Sequence, residues 1–393
     1  MELDLAVRVC WMEIVKSMDF DGTSFIYTEE AKGIDHRLTY NYKQCTGCGI
    51  CTKICPTGAL ELGPIPEIAT GLDAPPVMLD LDACTFCGMC AAFCPERAFR
   101  FTIDGVDIRN LAEYPHLESS ITVNDNCIPC LICEKACPRD AITLKLSIPK
   151  KEDLLHFDET AEGEIKIDED KCNRCGICTA FCDAFLLFER DPEKINPEIP
   201  HEFEPVVIDP EKCDYCGLCV DLCPEDAIEV ISEKRNVNVD LKPPVITGEI
   251  VIDDEICDRC GWCVFRCPYD ALEIEKPFEG EIRIVDNKLP ACDPVGCHAC
   301  INICPSKAWY IPSDDKIAVE ESLCTYCGAC VNSCRFDVID LLRTDVKHTP
   351  AIETPWKKQW LDTIAIIRGE KEKRDYTGLK FFRKNEEGEV VWR

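Results

Sequence analysis

Short alternations of apolar and polar residues recur along the chain. Ala59-Leu-Glu-Leu62, Val77-Met-Leu-Asp-Leu81, Ile165-Lys-Ile167, Val206-Val-Ile208 and Ala271-Leu-Glu-Ile274 each send side chains to two faces in turn, the period of a half-buried strand. Between strands the pattern breaks at a loop followed by a helical turn. Near the start, Leu5-Ala-Val-Arg-Val-Cys10-Trp11 alternates as well, and Cys10 is expected there as a buried structural thiol. The tail changes period: Pro355-Trp-Lys-Lys-Gln-Trp-Leu-Asp-Thr-Ile-Ala-Ile-Ile-Arg368 spaces its apolar residues as an amphipathic helix does. No apolar run is long enough to span a membrane.

The loops between these strands hold the cysteines. Of 393 residues 33 are Cys, and all but Cys10 fall in eight runs of four. The first four runs are Cys45, Cys48, Cys51, Cys55; Cys84, Cys87, Cys90, Cys94; Cys127, Cys130, Cys133, Cys137; and Cys172, Cys175, Cys178, Cys182. The others are Cys213, Cys216, Cys219, Cys223; Cys257, Cys260, Cys263, Cys267; Cys292, Cys297, Cys300, Cys304; and Cys324, Cys327, Cys330, Cys334.

Cys213-Asp-Tyr-Cys216-Gly-Leu-Cys219-Val-Asp-Leu-Cys223-Pro224 shows the unit, C-x2-C-x2-C-x3-C-P, which bacterial-type ferredoxins use to hold a [4Fe–4S] cluster. Three thiolates of one loop reach three irons, and the fourth turns away to the neighbouring cluster. Gly217 suits a tight backbone near the sulfurs, and Pro224 keeps the cysteine before it out of helical geometry. Disulfides would need an oxidising compartment, and the acidic start has no basic segment leading an apolar one, so no signal peptide is expected. Zinc sites pair two C-x-x-C knuckles across a longer gap. Iron–sulfur is the reading, with eight [4Fe–4S] clusters held by the 32 cysteines.

The formal charge of −30 disfavours a nucleic-acid partner. It suits solubility and steering toward basic docking faces. Residues 343–393 run the other way, with 12 Lys and Arg against 9 Asp and Glu and three of the six tryptophans. Packing on the chain's own modules and anchoring to a partner subunit are both open for this tail.

The expected fold is α+β: tandem bacterial-type 2[4Fe–4S] ferredoxin modules, βαββαβ, small and stapled by their clusters. Pairing runs in order gives an N-terminal extension 1–37, modules at 38–110, 111–191, 192–278 and 279–345, and a docking tail 346–393. Pro192, Pro197, Pro200 and Pro205 mark a linker between halves. The offset frame, runs two with three, four with five and six with seven, is the alternative. Four runs depart from the unit. The seventh has four residues between Cys292 and Cys297, so Cys292 either loops out and ligates or leaves a three-ligand or [3Fe–4S] site. Leu131 and His298 replace the glycine in the third and seventh runs, where the backbone amides are expected to point differently. Asp183 and Arg335 replace the proline in the fourth and eighth, each closing a block of four. In the in-order frame Asp183 makes the third run's cluster among the most reducing, and Arg335 the seventh's among the least.

No dinucleotide loop, P-loop, G-x-S-x-G or H-E-x-x-H is present, and the six histidines are scattered, with only His298 inside a run. No catalytic residue is assigned; clusters this close in sequence make a conductor of single electrons. The stretch Cys45-Thr-Gly-Cys-Gly-Ile-Cys-Thr-Lys-Ile-Cys-Pro-Thr-Gly-Ala-Leu-Glu-Leu-Gly-Pro64, then Gly71-Leu-Asp-Ala-Pro-Pro-Val77 and Cys84-Thr-Phe-Cys-Gly-Met-Cys90, resembles the polyferredoxins of methanogenic archaea. It is most similar to the F-subunit family of formylmethanofuran dehydrogenase, which eight runs also match. The resemblance implies a cytoplasmic, non-catalytic subunit that passes electrons toward the tungsten or molybdenum site reducing CO2. Its partners would be the other subunits, heterodisulfide reductase or ferredoxin as donor, and further copies through a polyferredoxin interface. A polyferredoxin of another hydrogenase or heterodisulfide reductase complex, and an iron–sulfur storage or scaffold protein, are the alternatives.

Overall fold

A computed structural model describes residues 14–31, 33–111, 114–191, 194–199, 202–234, 244–313, 316–351, 357–372, 382–384 and 390–392. Cys10, Trp11, Pro192, Pro200, His201, Pro355 and Trp356 lie outside them. The chain divides into two units. One draws on Met1–Glu118, Lys276–Pro305 and Thr325–Arg393, the other on Ser119–Glu275 and Ser306–Cys324.

In the first unit, Ile34–Asn41 pairs antiparallel with Phe99–Ile103, and Leu60–Leu62 forms a hairpin with Val77–Leu79. The helical turns Ile50–Ile54 and Met89–Ala92 connect them, giving βαββαβ around runs one and two. Strands Val15–Phe20 and Ser24–Ala31, expected as an extension outside the module, add two strands to its sheet. Around run seven and the end of run eight, Phe278–Ile284 pairs with Ile339–Val346.

The second unit departs from the in-order frame and keeps only the four-with-five pairing of the offset frame. Ser120–Val123, before run three, pairs with Leu272–Glu275, after run six. Ile142–Ser147, after run three, pairs with Thr247–Ile252, before run six. Within that second pairing sits a complete module, in which Glu162–Ile167 pairs with Ile228–Lys234 and Phe185–Leu186 with Val207–Ile208. Run four therefore partners run five, and this module interrupts the one built by runs three and six. The in-order modules 111–191 and 192–278 are corrected accordingly. The acidic proline stretch is the inner connection of the inserted module rather than a linker between halves. The in-order frame fails here, and the offset frame holds only for runs four and five, because the strands are interchangeable: Ile142↔Ile252 and Ile167↔Ile228 put the same side chain at the same place in each ladder.

The tail helix runs Lys357–Ile367 and turns its apolar face inward. Trp360 is fully buried, its ring centre 4.1 Å from that of Phe93, and Ile364 and Ile367 join the same core. This length of the tail packs on its own unit, so the docking role expected for it is withdrawn.

Candidate metal centres

Each run is shaped by backbone that favours glycine. In six runs the glycine before the helical turn, Gly49, Gly88, Gly176, Gly217, Gly261 and Gly328, is left-handed with φ from 72° to 96°. The residue before the second cysteine is left-handed too in Gly47, Phe86, Arg174, Tyr215, Arg259 and Tyr326. The two reversals curl the loop so that amides point inward onto sulfur. The Phe86 N–H lies 3.5 Å from Cys84 Sγ, and amides of Gly47, Arg174, Tyr215 and Ile177 likewise hold down the thiols of Cys45, Cys172, Cys213 and Cys175.

Gly296, before the second cysteine of the seventh run, lacks the first reversal, but that run retains the second, because His298 keeps the left-handed form at φ 50°. Leu131 does not: its φ is −80°, and Pro129 before it has its φ locked negative. The third loop alone among those described loses both reversals.

The cysteines come together in fours across runs. Cys94 lies close enough to Cys48 and Cys51 to raise their thiols, and Cys55 does the same to Cys84, Cys87 and Cys90. Cys267 acts on Cys127, Cys130 and Cys133, while Cys137 acts on Cys260 and Cys263. Cys223 acts on Cys172, Cys175 and Cys178, and Cys182 on Cys216 and Cys219. Cys334 stands with Cys292, Cys297 and Cys300, and Cys304 with Cys327. Hollows mark two of these sets. One, with about 380 Å³ of free space, is lined by Cys172, Cys175, Cys178 and Cys223, and another of that size by Cys55, Cys84, Cys87 and Cys90. Among the described residues no three ligand side chains converge on a single-ion site. The two hollows, each lined by three cysteines of one run and the fourth of its partner, match the ligand set that a cube of four irons takes.

Burial dominates the chemistry of these thiols. It pushes Cys133, Cys175, Cys219, Cys263 and Cys300 up to about 12, with neighbouring thiols adding to it. All 32 are unbridged.

The sets also meet between modules of one unit. In the first, Cys48 and Cys327 act on each other, and Asn332 Nδ2 donates to Gly47 O at 2.9 Å. In the second, Cys130 acts on Cys175, and the Leu131 N–H donates to Cys175 O at 3.0 Å.

The two runs without proline differ in kind. Arg335 takes the proline's place in a turn of ordinary length, with Asp337 left-handed two residues before the strand, as Asp226 and Asp270 are in their runs. In the fourth run the turn is two residues shorter, so Ala184 follows Cys182 directly after Asp183. Both charges are surface ion pairs: Asp183, 73 % exposed, with Lys150 at 3.7 Å, and Arg335, 49 % exposed, with Glu67 at 3.0 Å. Cys182 belongs with Cys213, Cys216 and Cys219, so Asp183 stands beside the fifth run's set, not the third's. Exposure and ion pairing weaken the potential shifts expected from both residues.

One signal in the sequence went unread. An alanine, or Val338 in the eighth run, follows the turn after each fourth cysteine, and it receives the strand entering the partner run: Asp80 N donates to Ala59 O, Asp253 N to Ala141 O and Asp168 N to Ala227 O, each at 2.8 Å. These positions are buried against the sulfurs: Ala59 N lies 3.3 Å from Cys55 Sγ and Val338 N 3.3 Å from Cys334 Sγ. Buried charges near the sulfurs, Lys151, Asp214, Glu96 and Arg343, also escaped the sequence reading.

The 4Fe-4S binding domain matches residues 206–229, 250–273, 317–340 and 295–308, and the 4Fe-4S dicluster domain matches 44–99, 76–138 and 126–186. The 126–186 match joins runs three and four in linear order; the strand pairings instead partner run three with run six, across the inserted module, and run four with run five. Polyferredoxin protein FwdF of Methanocaldococcus jannaschii is 45 % identical over 87 residues, 22 % of this chain and 24 % of that protein, so the chain spans about a quarter of that relative. A ferredoxin of Methanothermococcus thermolithotrophicus is 35 % identical over 48 residues, 12 % of this chain and 80 % of the ferredoxin. A chain of the formate dehydrogenase–heterodisulfide reductase–formylmethanofuran dehydrogenase complex of Methanospirillum hungatei shares the fold, with TM-score 0.55 and 24 % identity over 96 % of this chain and 97 % of that one.

Proposed function

This chain belongs to the ferredoxin family, and from that premise we propose that it is the polyferredoxin subunit of a formylmethanofuran dehydrogenase. It holds eight [4Fe–4S] clusters, each on three cysteines of one run and the fourth of its partner run, and it catalyses no turnover of its own. The observation that carries this is the meeting of sets end to end. In the first unit the set of Cys84 leads through that of Cys45 to Cys327 and on to Cys300; in the second, the set of Cys213 leads through that of Cys172 to Cys130 and on to Cys260. A bound cube accepts and returns one electron. The chain fixes the order of the cubes, leaves none of the 32 cysteines fully exposed and aims amides at their sulfurs. Electrons from a ferredoxin or heterodisulfide reductase would leave for the tungsten or molybdenum site that reduces CO2.

Among the described residues no helix is long and apolar enough to cross a membrane. Purified without oxygen, the chain should hold about 32 Fe and 32 acid-labile sulfides, four of each per cube. It should also be pulled down with the other formylmethanofuran dehydrogenase subunits. Full iron with ready loss of clusters to apo-acceptors and none of those subunits bound would favour a storage protein instead.

A further inference from the structure

Arg343 lies where two modules of the first unit bring their sulfurs together. It is 9 % exposed; its Nε donates to Tyr326 O at 2.7 Å and its Nη2 to Cys327 O at 2.5 Å, while Cζ lies 5.7 Å from the centre of the Phe278 ring. Gly328 makes room for it. A Cβ there would stand 3.0 Å from Nη2, and it would also be 3.7 Å from Cys48 O on the facing loop. The guanidinium is therefore wedged against the eighth run and within reach of the first.

The other charges at this junction are of known sign. Glu96, 4 % exposed, faces Cys45, Cys94 and Cys327 and raises all three. Lys53, exposed on the helical turn of the first run, stands in the field of both Arg343 and Cys48. Two oxidised cubes with their thiolates would bring about −2 each. An electron crossing here would add charge between two anionic cubes and beside Glu96. At the corresponding junction of the second unit the space above Gly176 is filled by Leu131, an apolar side chain.

We propose that Arg343 is the counter-charge that makes this junction passable, holding up the reduction potentials of the two facing clusters against Glu96 and against each other. The proposal rests on the electron-conducting reading above and names the residue that tunes it. Arg343 acts through charge and touches no substrate.

The test is potentiometric EPR on the full chain, with iron counted in every sample. Arg343→Gln should shift the oxidised-to-reduced ratio of two clusters at fixed potential by roughly tenfold toward oxidised, about 59 mV for one electron. Arg343→Lys, which keeps the charge and loses the two-carbonyl fork, should leave both midpoints in place. If neither variant moves a midpoint, or if both move them alike, charge is not the agent and the proposal is overturned. Should Arg343→Gln fail to take up iron, Glu96→Gln decides: the same two midpoints rise by a comparable factor, or the proposal falls. A wild-type chain with far less iron than eight cubes would sink the conductor reading itself. Full iron with unmoved midpoints would sink only this one.

Discussion

The Leu131 side chain occupies the space that a Cβ on Gly176 would need, its Cδ1 2.6 Å from that position. The one run whose residue before the helical turn is not left-handed is thus seated on a run that has a left-handed glycine there. The leucine and the glycine belong to different modules, so each is shaped for the other rather than for its own cluster. Gly176→Ala should cost about 2–4 kcal/mol, from strain at φ +79° plus the clash. Leu131→Ala should cost about 1–3 kcal/mol, because the side chain is only half-buried. The double variant should cost less than the sum, since one contact is removed twice. Denaturant midpoints of the iron-loaded chains measure all three; strict additivity would mean that the two residues do not meet.

What was legible in the sequence follows from range. Cysteine spacing is local, so all eight loops and their helical turns stand where the runs place them, and strands such as Leu60–Leu62 and Leu272–Glu275 follow from alternation over a few residues. Partner choice is not local. Val123 meets Leu272 across nearly the whole second unit, and nothing in either strand distinguishes that partner from the others on offer. The shortened turn at Cys182–Ala184 was visible but was read as a missing proline instead of two missing residues. The tail helix was legible by period, but the partner of Trp360 was not, because Phe93 lies far away in the sequence.

Lys151 Nζ stands 2.5 Å from Asp214 Oδ1, with side-chain exposures of 11 % and 1 %. Burial pulls the lysine down, but the Asp214 hydrogen bond and charge outweigh it and leave the ammonium above 10.5. Stability from a raised lysine is present at neutral pH and is lost only as pH rises through that raised value. Lys151→Met should cost about 3–5 kcal/mol, because Asp214 is left buried without its cation. Thermal melts at neutral pH would show it; a loss below 1 kcal/mol would mean that water replaces the lysine.

Asp107 gives the opposite sign. Burial pushes its carboxyl up, but the side chain and amide of Arg109 and the guanidinium of Arg100 outweigh it and hold it at about 2. The contacts run from 2.9 to 3.0 Å, and the same carboxylate caps the turn Ile108–Asn110. A depressed carboxyl contributes stability above its ordinary 3.8 that is lost as pH falls toward 2. Allowing for solvent screening, Asp107→Asn should cost about 1 kcal/mol at neutral pH, and the gap from wild type should close on acidification. A gap independent of pH would assign the loss to the cap alone.

Removing the iron should unfold the modules together. In the second unit one core consists of Cys133, Ile142, Cys263 and Leu272, so half of its fully buried residues are thiols. Those two thiols, pushed up to about 12, are neutral at pH 7, and loading a cube must expel their protons. Chelation under reducing conditions should abolish the far-ultraviolet and near-ultraviolet circular dichroism in one step, and reloading should weaken as pH falls. A cooperative thermal transition in the apoprotein would show that the strands hold without their clusters.

The seventh run decides whether an insertion has cost a ligand. Its extra residues form a compact loop: Asp293 Oδ1 accepts from the amides of Val295 and Gly296 at 3.1 and 3.0 Å, and Asp293 O from that of Cys297 at 3.1 Å. The loop juts outward, with Val295 86 % exposed, and its closure returns Cys292 to the set of Cys297, Cys300 and Cys334. Cys292 also ends the turn Leu289–Ala291, which anchors it from the other side. The insertion therefore lengthens the loop without displacing the thiol, and a four-ligand site is expected. Cys292→Ser should lose about one iron of 32 per chain and bring up a [3Fe–4S] signal in the oxidised EPR spectrum, since three thiolates remain. Deleting Val295 and Gly296 should remove the turn but keep the iron, because the spacing then equals that of the other runs. If wild type already shows the [3Fe–4S] signal and Cys292→Ser leaves it unchanged, Cys292 is a bystander and the site has three ligands.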